Sequence, residues 1–191
     1  MGYNTTAWTT DGQTQTTGGA TLYKEFGLWD FSPTAGNHNA MISINSLTSA
    51  SATSYASNDI GASGTDPATT LDVSDDGESP RALVGAMWYI EDNITIDKIR
   101  VIATADGSQA INFHVMSFDM DVSSAYGDLS GGTLIAHIGS SMSATVSTVK
   151  TETLTIDSAT IAANKIVIVY AEAETDASDI TCKCTIKYHL S

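Results

Sequence analysis

Basic residues are scarce in this chain: eight Lys and Arg stand against 22 Asp and Glu, a formal net charge of −14 over 191 residues. Nucleic-acid binding needs cations that displace counterions, and anionic membranes attract polybasic segments, so neither is expected as a partner. Long apolar runs are also missing, and none approaches the roughly 20 residues of a membrane-spanning helix. The opening Met1-Gly2-Tyr3-Asn4-Thr5-Thr6-Ala7-Trp8 has no basic region leading into an apolar one, so no secretory signal is read. Charged residues make up only 16% of the chain. Ser, Thr, Ala and Gly take their place, a composition that suits β-structure and close packing against other protein. There are two cysteines, Cys182 and Cys184. They fall on one face of an alternating run, in poor geometry for a disulfide and too few for a zinc site. They are read as reduced core residues, consistent with assembly in a reducing cytoplasm.

What is present is period two. Ile99, Val101 and Ala103 alternate with polar residues, as do Ile111, Phe113 and Val115. Asp106-Gly107 lies between them and predicts a β-hairpin. Ile94 and Ile96 share one parity and Ile99 onward the other, so a bulge or bend is expected near Asp97-Lys98. Val167, Val169, Ala171 and Ala173 alternate with Ile166, Ile168 and Tyr170, so both faces of that strand need cover. Leu83 to Ile90, Thr133 to Ile138, and Ala144 to Val149 running on into Lys150 to Ile156 read as further strands. The last run alternates most cleanly, with Ile180, Cys182, Cys184, Ile186, Tyr188 and Leu190 set against Thr181, Lys183, Thr185, Lys187 and His189. Seven or eight such strands with no amphipathic helix predict an all-β, antiparallel β-sandwich spanning 81–191, most economically a jelly roll.

Residues 1–80 read differently. They hold one base, Lys24, and long Ser/Thr/Gly stretches, yet also Trp8, Tyr23, Phe26, Trp29 and Phe31. Large aromatics bury large areas. The segment is therefore expected to be an extended N-terminal arm lying along its own body or a neighbouring subunit, with those five aromatics as its anchors. Trp88, inside an apolar run, is assigned to the core.

No catalytic constellation is visible. The four histidines, His38, His114, His137 and His189, are scattered, with His114 and His189 on expected wet faces. No nucleophile elbow or phosphate-binding glycine loop occurs. Asp72 to Gly77 imitates the start of a calcium loop but has Leu83 where the bidentate acid belongs, and Asp119, Asp121 and Asp128 form a second incomplete cluster. Both are read as solvated turn acids. No catalytic residue, cofactor or metal ligand is assigned, and the protein is expected not to be an enzyme.

The stretch Ile94-Thr95-Ile96-Asp97-Lys98-Ile99, the expected hairpin that follows, Thr160-Ile161-Ala162-Ala163-Asn164-Lys165-Ile166-Val167-Ile168-Val169, and the alternating last strand resemble virion proteins of tailed bacteriophages, of the capsid-decoration or head-fibre type. The resemblance covers about half the chain. It implies a jelly-roll body, a trimer, an arm engaging the particle, the major capsid protein as partner, and a place on the capsid surface after assembly in the host cytoplasm. The alternative is a receptor- or carbohydrate-binding module of a tail or fibre. On this reading, deleting residues 2–40 would abolish particle binding and leave a soluble β-domain.

Overall fold

The computed structural model describes residues 20–43, 67–70, 84–120, 129–175 and 178–191. Their secondary structure is entirely β. In chain order the strands are β1 (Leu22–Phe31), β2 (His38–Ala40), β3 (Ile42–Ser43), β4 (Trp88–Tyr89), β5 (Ile94–Ala105), β6 (Gln109–Met120) and β7 (Leu129–His137). They continue with β8 (Met142–Ala144), β9 (Lys150–Thr153), β10 (Thr155–Ile156), β11 (Thr160–Ile161), β12 (Lys165–Ala173) and β13 (Ile180–Leu190). Two antiparallel sheets pack face to face, a β-sandwich. The first runs β11-β5-β13-β1-β3 with β9 also on β5; the second runs β10-β7-β6-β12-β2 with β4 on β12 and β8 on β6.

The Asp106-Gly107 turn is real, but it does not close a hairpin. β5 pairs with β13, and β6 pairs with β12, so the turn carries the chain from one sheet to the other. Ile99, Val101 and Ala103 therefore face Ile111, Phe113 and Val115 across the core instead of lying beside them, and all six are buried in one cluster. The reason is pairing strength: the 12-residue β5 finds in the 11-residue β13 a partner along its whole length. The link from β12 to β13 crosses between the sheets in the same way. The two crossings are clasped together. Asp106 N–H donates to the Asp179 carbonyl at 3.1 Å, and Asp179 N–H to the Asp106 carboxylate at 2.9 Å. Buried Gln109 donates from Nε2 to the Thr175 carbonyl at 2.6 Å and accepts at Oε1 from Thr175 N–H and Oγ1. Gly107 leaves room here for the Ser178 hydroxyl, which a Cβ at this position would force to turn away.

The phase change at Asp97 is a bulge, as its pattern implies. Lys98 pairs with Lys187 and Ile96 with Tyr188, leaving Asp97 as the extra residue. On β12 the parities separate as expected. Val167, Val169 and Ala171 join the inter-sheet core, while Ile166, Ile168 and Tyr170 join a second apolar cluster with Met116, Phe118 and Leu129 on the outer face of the second sheet. Cys182 and Cys184 are free, buried core thiols.

Several expected strands are shorter or displaced. Leu83 lies outside the described residues, and the rest of the expected strand to Ile90 forms only the two-residue β4, because a turn occupies 84–86 and leaves Val84 exposed. Thr145 to Thr148 is a tight turn closed by a 3.2 Å backbone bond, so Val146 within it and Val149 just after it are exposed and not strand. The larger revision concerns the arm. β1 lies inside the first sheet between β13 and β3, and β2 is a strand of the second sheet, so residues 22–43 are part of the sandwich. Phe26 and Phe31 are core residues in one cluster with Leu28 and Met41, because alternation points Phe26 and Leu28 inward and the register break after Leu28 brings Phe31 to the same side. Cutting at residue 40 would strip β13 of its neighbour and open the core, so the 2–40 deletion is expected not to fold. The boundary placed at residue 80, like Asp72 to Gly77, lies outside the described residues.

Two outcomes follow. Phe26→Ala should lower unfolding free energy by about 3–5 kcal/mol, whereas Tyr23→Ala, on the opposite face of the same strand, should change it by less than about 0.5 kcal/mol; urea titration separates them. Burial pushes the Cys182 thiol up from 9.0 to about 12, partly opposed by a hydrogen bond with the Leu28 backbone, and burial followed by the neighbouring Cys182 raises Cys184 further. The fold therefore keeps protons that the unfolded chain releases. Stability from these groups should be intact below pH 9 and fall as pH rises toward 12, and thiol reagents at pH 8 should label the protein only after denaturant is added.

Candidate interface on the outer face of the first sheet

The alternation that sends Phe26 and Leu28 inward sends Tyr23, Glu25 and Gly27 outward on β1. Direct cross-strand partners share a face. Tyr23 lies opposite Lys187, Glu25 opposite Thr185, and Gly27 opposite Lys183. The register continues onto β5, with Lys187 opposite Lys98, Thr185 opposite Arg100, Lys183 opposite Ile102, and Thr181 opposite Thr104. β9 adds Thr151 and Thr153. The result is a threonine-rich surface carrying four of the chain's eight bases. Against them stand Glu25 and Asp97 on the strands and Asp30 at the rim. Glu25 is engaged by Lys183 at 2.7 Å, and Asp97 by His189 Nδ1 at 2.9 Å.

Three features mark this face as unfinished. Lys98 and Lys187 are direct cross-strand neighbours, a like-charge pair that costs stability. Among the described residues Lys98, Arg100 and Lys187 make no ion pair. Two large aromatics stand in solvent, Tyr23 at 63% and Trp29 at 76% exposure. Trp29 is held there by a second bulge. The β1 register breaks between Leu28 and Phe31, and Asp30 adopts φ 47°, a left-handed conformation that a non-glycine residue rarely takes. Asp30 N–H donates to Thr181 Oγ1 at 3.0 Å, and Ser32 Oγ to the Asp179 carboxylate. The indole is thus presented on fixed backbone.

Of the five expected anchors, the structure brings Tyr23 and Trp29 to this surface and places Phe26 and Phe31 in the core. Trp8 lies outside the described residues. Trp88 is half-buried at the end of the core, edge-on to Tyr188 at 4.9 Å and 6.4 Å from Phe26. The bases were missed because their sequence positions are remote. Only the β5–β13 register, readable from two long alternating runs, sets Lys98 and Arg100 beside Lys183 and Lys187.

The histidines sort into two groups. His137 Nδ1 lies 2.7 Å from Asp157, and His189 is paired as above, both partly exposed. His114, expected on a wet face, is instead buried with His38 on the outer face of the second sheet, because that face is covered. Of the acidic loop residues, Asp119 pairs with Lys165 at 2.6 Å, while Asp121 and Asp128 lie outside the described residues.

No protein-family model matches the chain, and no curated protein matches it.

If Lys98 and Lys187 repel as their register implies, Lys187→Glu should raise unfolding free energy by about 0.2–1 kcal/mol in low salt, with the gain shrinking in high salt. Urea titration at two ionic strengths checks this.

Proposed function

We propose that the protein is a non-enzymatic structural protein of a phage virion, bound to the outside of the head as a decoration that stabilises the shell. The observation that carries this reading is the outer face of the first sheet, where two exposed aromatics stand with three bases that make no ion pair among the described residues, in an otherwise acidic chain. Tyr, Trp and Arg are the residues that dominate protein–protein contacts. The occupant this face fits is an acidic patch on the capsid protein, which would relieve the Lys98–Lys187 repulsion and bury Trp29. A trimer fits the role, because symmetry repeats each favourable contact around the axis. Exposed Trp29 and Tyr23 also suit stacking on sugar rings, which favours a receptor-binding module of a tail or fibre as the second reading.

Quantitative mass spectrometry of purified virions separates the two. Decoration predicts a copy number equal to that of the major capsid protein or a simple fraction of it. A few copies per particle would favour the tail reading, and absence from virions would overturn both. Trp29→Ala combined with Lys187→Glu should weaken re-binding to stripped particles at least tenfold while leaving the fold intact. Undiminished binding would remove this face from the interface.

A further inference from the structure

The outer face of the second sheet carries a polar cluster inside an apolar one. Glu172 on β12 lies directly opposite His38 on β2 and Asn112 on β6; two residues along, Tyr170 lies opposite His114 on β6. Three adjacent strands thus converge two imidazoles and one carboxylate on one spot. All three are buried, with residue exposures of 0% for His38, 7% for His114 and 4% for Glu172. One ligand atom from each lies within 4.8 Å of the others. The rings of His38 and His114 meet edge-on at 5.3 Å, and Tyr170 stands edge-on to His38 at 6.1 Å.

We propose that His38, His114 and Glu172 bind a divalent transition-metal ion of the zinc type. His38 Nε2 is 3.6 Å from Glu172 Oε2. That is long for a hydrogen bond, but it is close to the separation of about 3.4 Å between neighbouring ligands of a tetrahedral ion with arms of about 2.0–2.1 Å. The His114 ligand atom lies within 4.8 Å of the other two, and binding would draw it closer. The donor set, two imidazoles and a carboxylate, is one that zinc and its neighbours accept. A buried carboxylate is costly without a compensating charge, and the ion supplies one. Asn112 Nδ2, 3.5 Å from Glu172 Oε2, stands beside the carboxylate to orient it. The Tyr170 hydroxyl is buried and has no hydrogen-bond partner among the described residues, which leaves a donor on the same face for a water in the fourth position. With the cluster closed off from solvent, the ion would serve as a structural tie. It would fasten the three-residue β2 to the centre of the sheet.

The test uses the full chain, stripped with chelator and then given zinc(II) or cobalt(II) alone. Expected are one ion bound per chain by elemental analysis, visible cobalt bands of an imidazole-containing site, and a rise in melting temperature of about 4–8 °C or more at saturating zinc. Glu172→Gln and His114→Gln should each weaken uptake about 100-fold or more. The chain has only four histidines, so the double variant His137→Gln/His189→Gln decides the case even if the cluster variants fail to fold. Uptake retained with its cobalt bands in that variant supports the buried site. Uptake lost in it, or no stoichiometric uptake by the unaltered chain, overturns the proposal.

Discussion

The fold depends on two sheet-to-sheet crossings being locked side by side. β5 turns over into β6, and β12 turns over into β13. Because β5 pairs with β13 and β6 with β12, each crossing ends where the other begins. The reciprocal bonds of Asp106 with Asp179 and the triple use of Gln109 satisfy backbone groups that would otherwise be stranded at the sandwich end. Gly107 makes room for Ser178. Everything else is added outward from this doubled ribbon: β1 on the free side of β13, β7 on the free side of β6, and short strands at the margins.

Much of this was legible from alternation alone. Parity along β5, β6, β12 and β13 names more than half of the inter-sheet core, and the phase slip near Asp97-Lys98 marks where the β5 register breaks. What alternation does not encode is which strand pairs with which. Asp-Gly favours a tight reversal, but a reversal within a sheet and one between sheets share the same local chemistry, and only competition among long strands chooses. Composition misled in the N-terminal part for a related reason. The Ser/Thr/Gly-rich stretches around β1 lower the average hydrophobicity of the whole segment, while Phe26, Leu28 and Phe31 carry a strand's worth of core at spacing two with a bulge before the last.

The two outer faces show how burial is decided by context. On the second sheet, Ile166, Ile168, Met116 and Phe118 make the outer face apolar, and it is buried. Two histidines and a glutamate sit in that environment. His114 in particular alternates as a solvent-facing residue should. Its burial follows from the apolar side chains two and four positions along the same face. On the first sheet the equivalent positions are Thr, Lys and Arg, and the face stays open.

That difference separates charge across the described part of the molecule. Half of the chain's cations sit on one side, while acids such as Asp92, Asp106, Asp119, Asp157 and Glu174 lie elsewhere on the described strands and turns. Such a separation gives the described body a more cationic side. Near a negatively charged surface it would turn its cationic side forward before touching, which shortens the search for a docked orientation. Once seated, copies would present their anionic flanks to one another. Their mutual repulsion would then set a minimum spacing on the surface, one that relaxes as salt concentration rises.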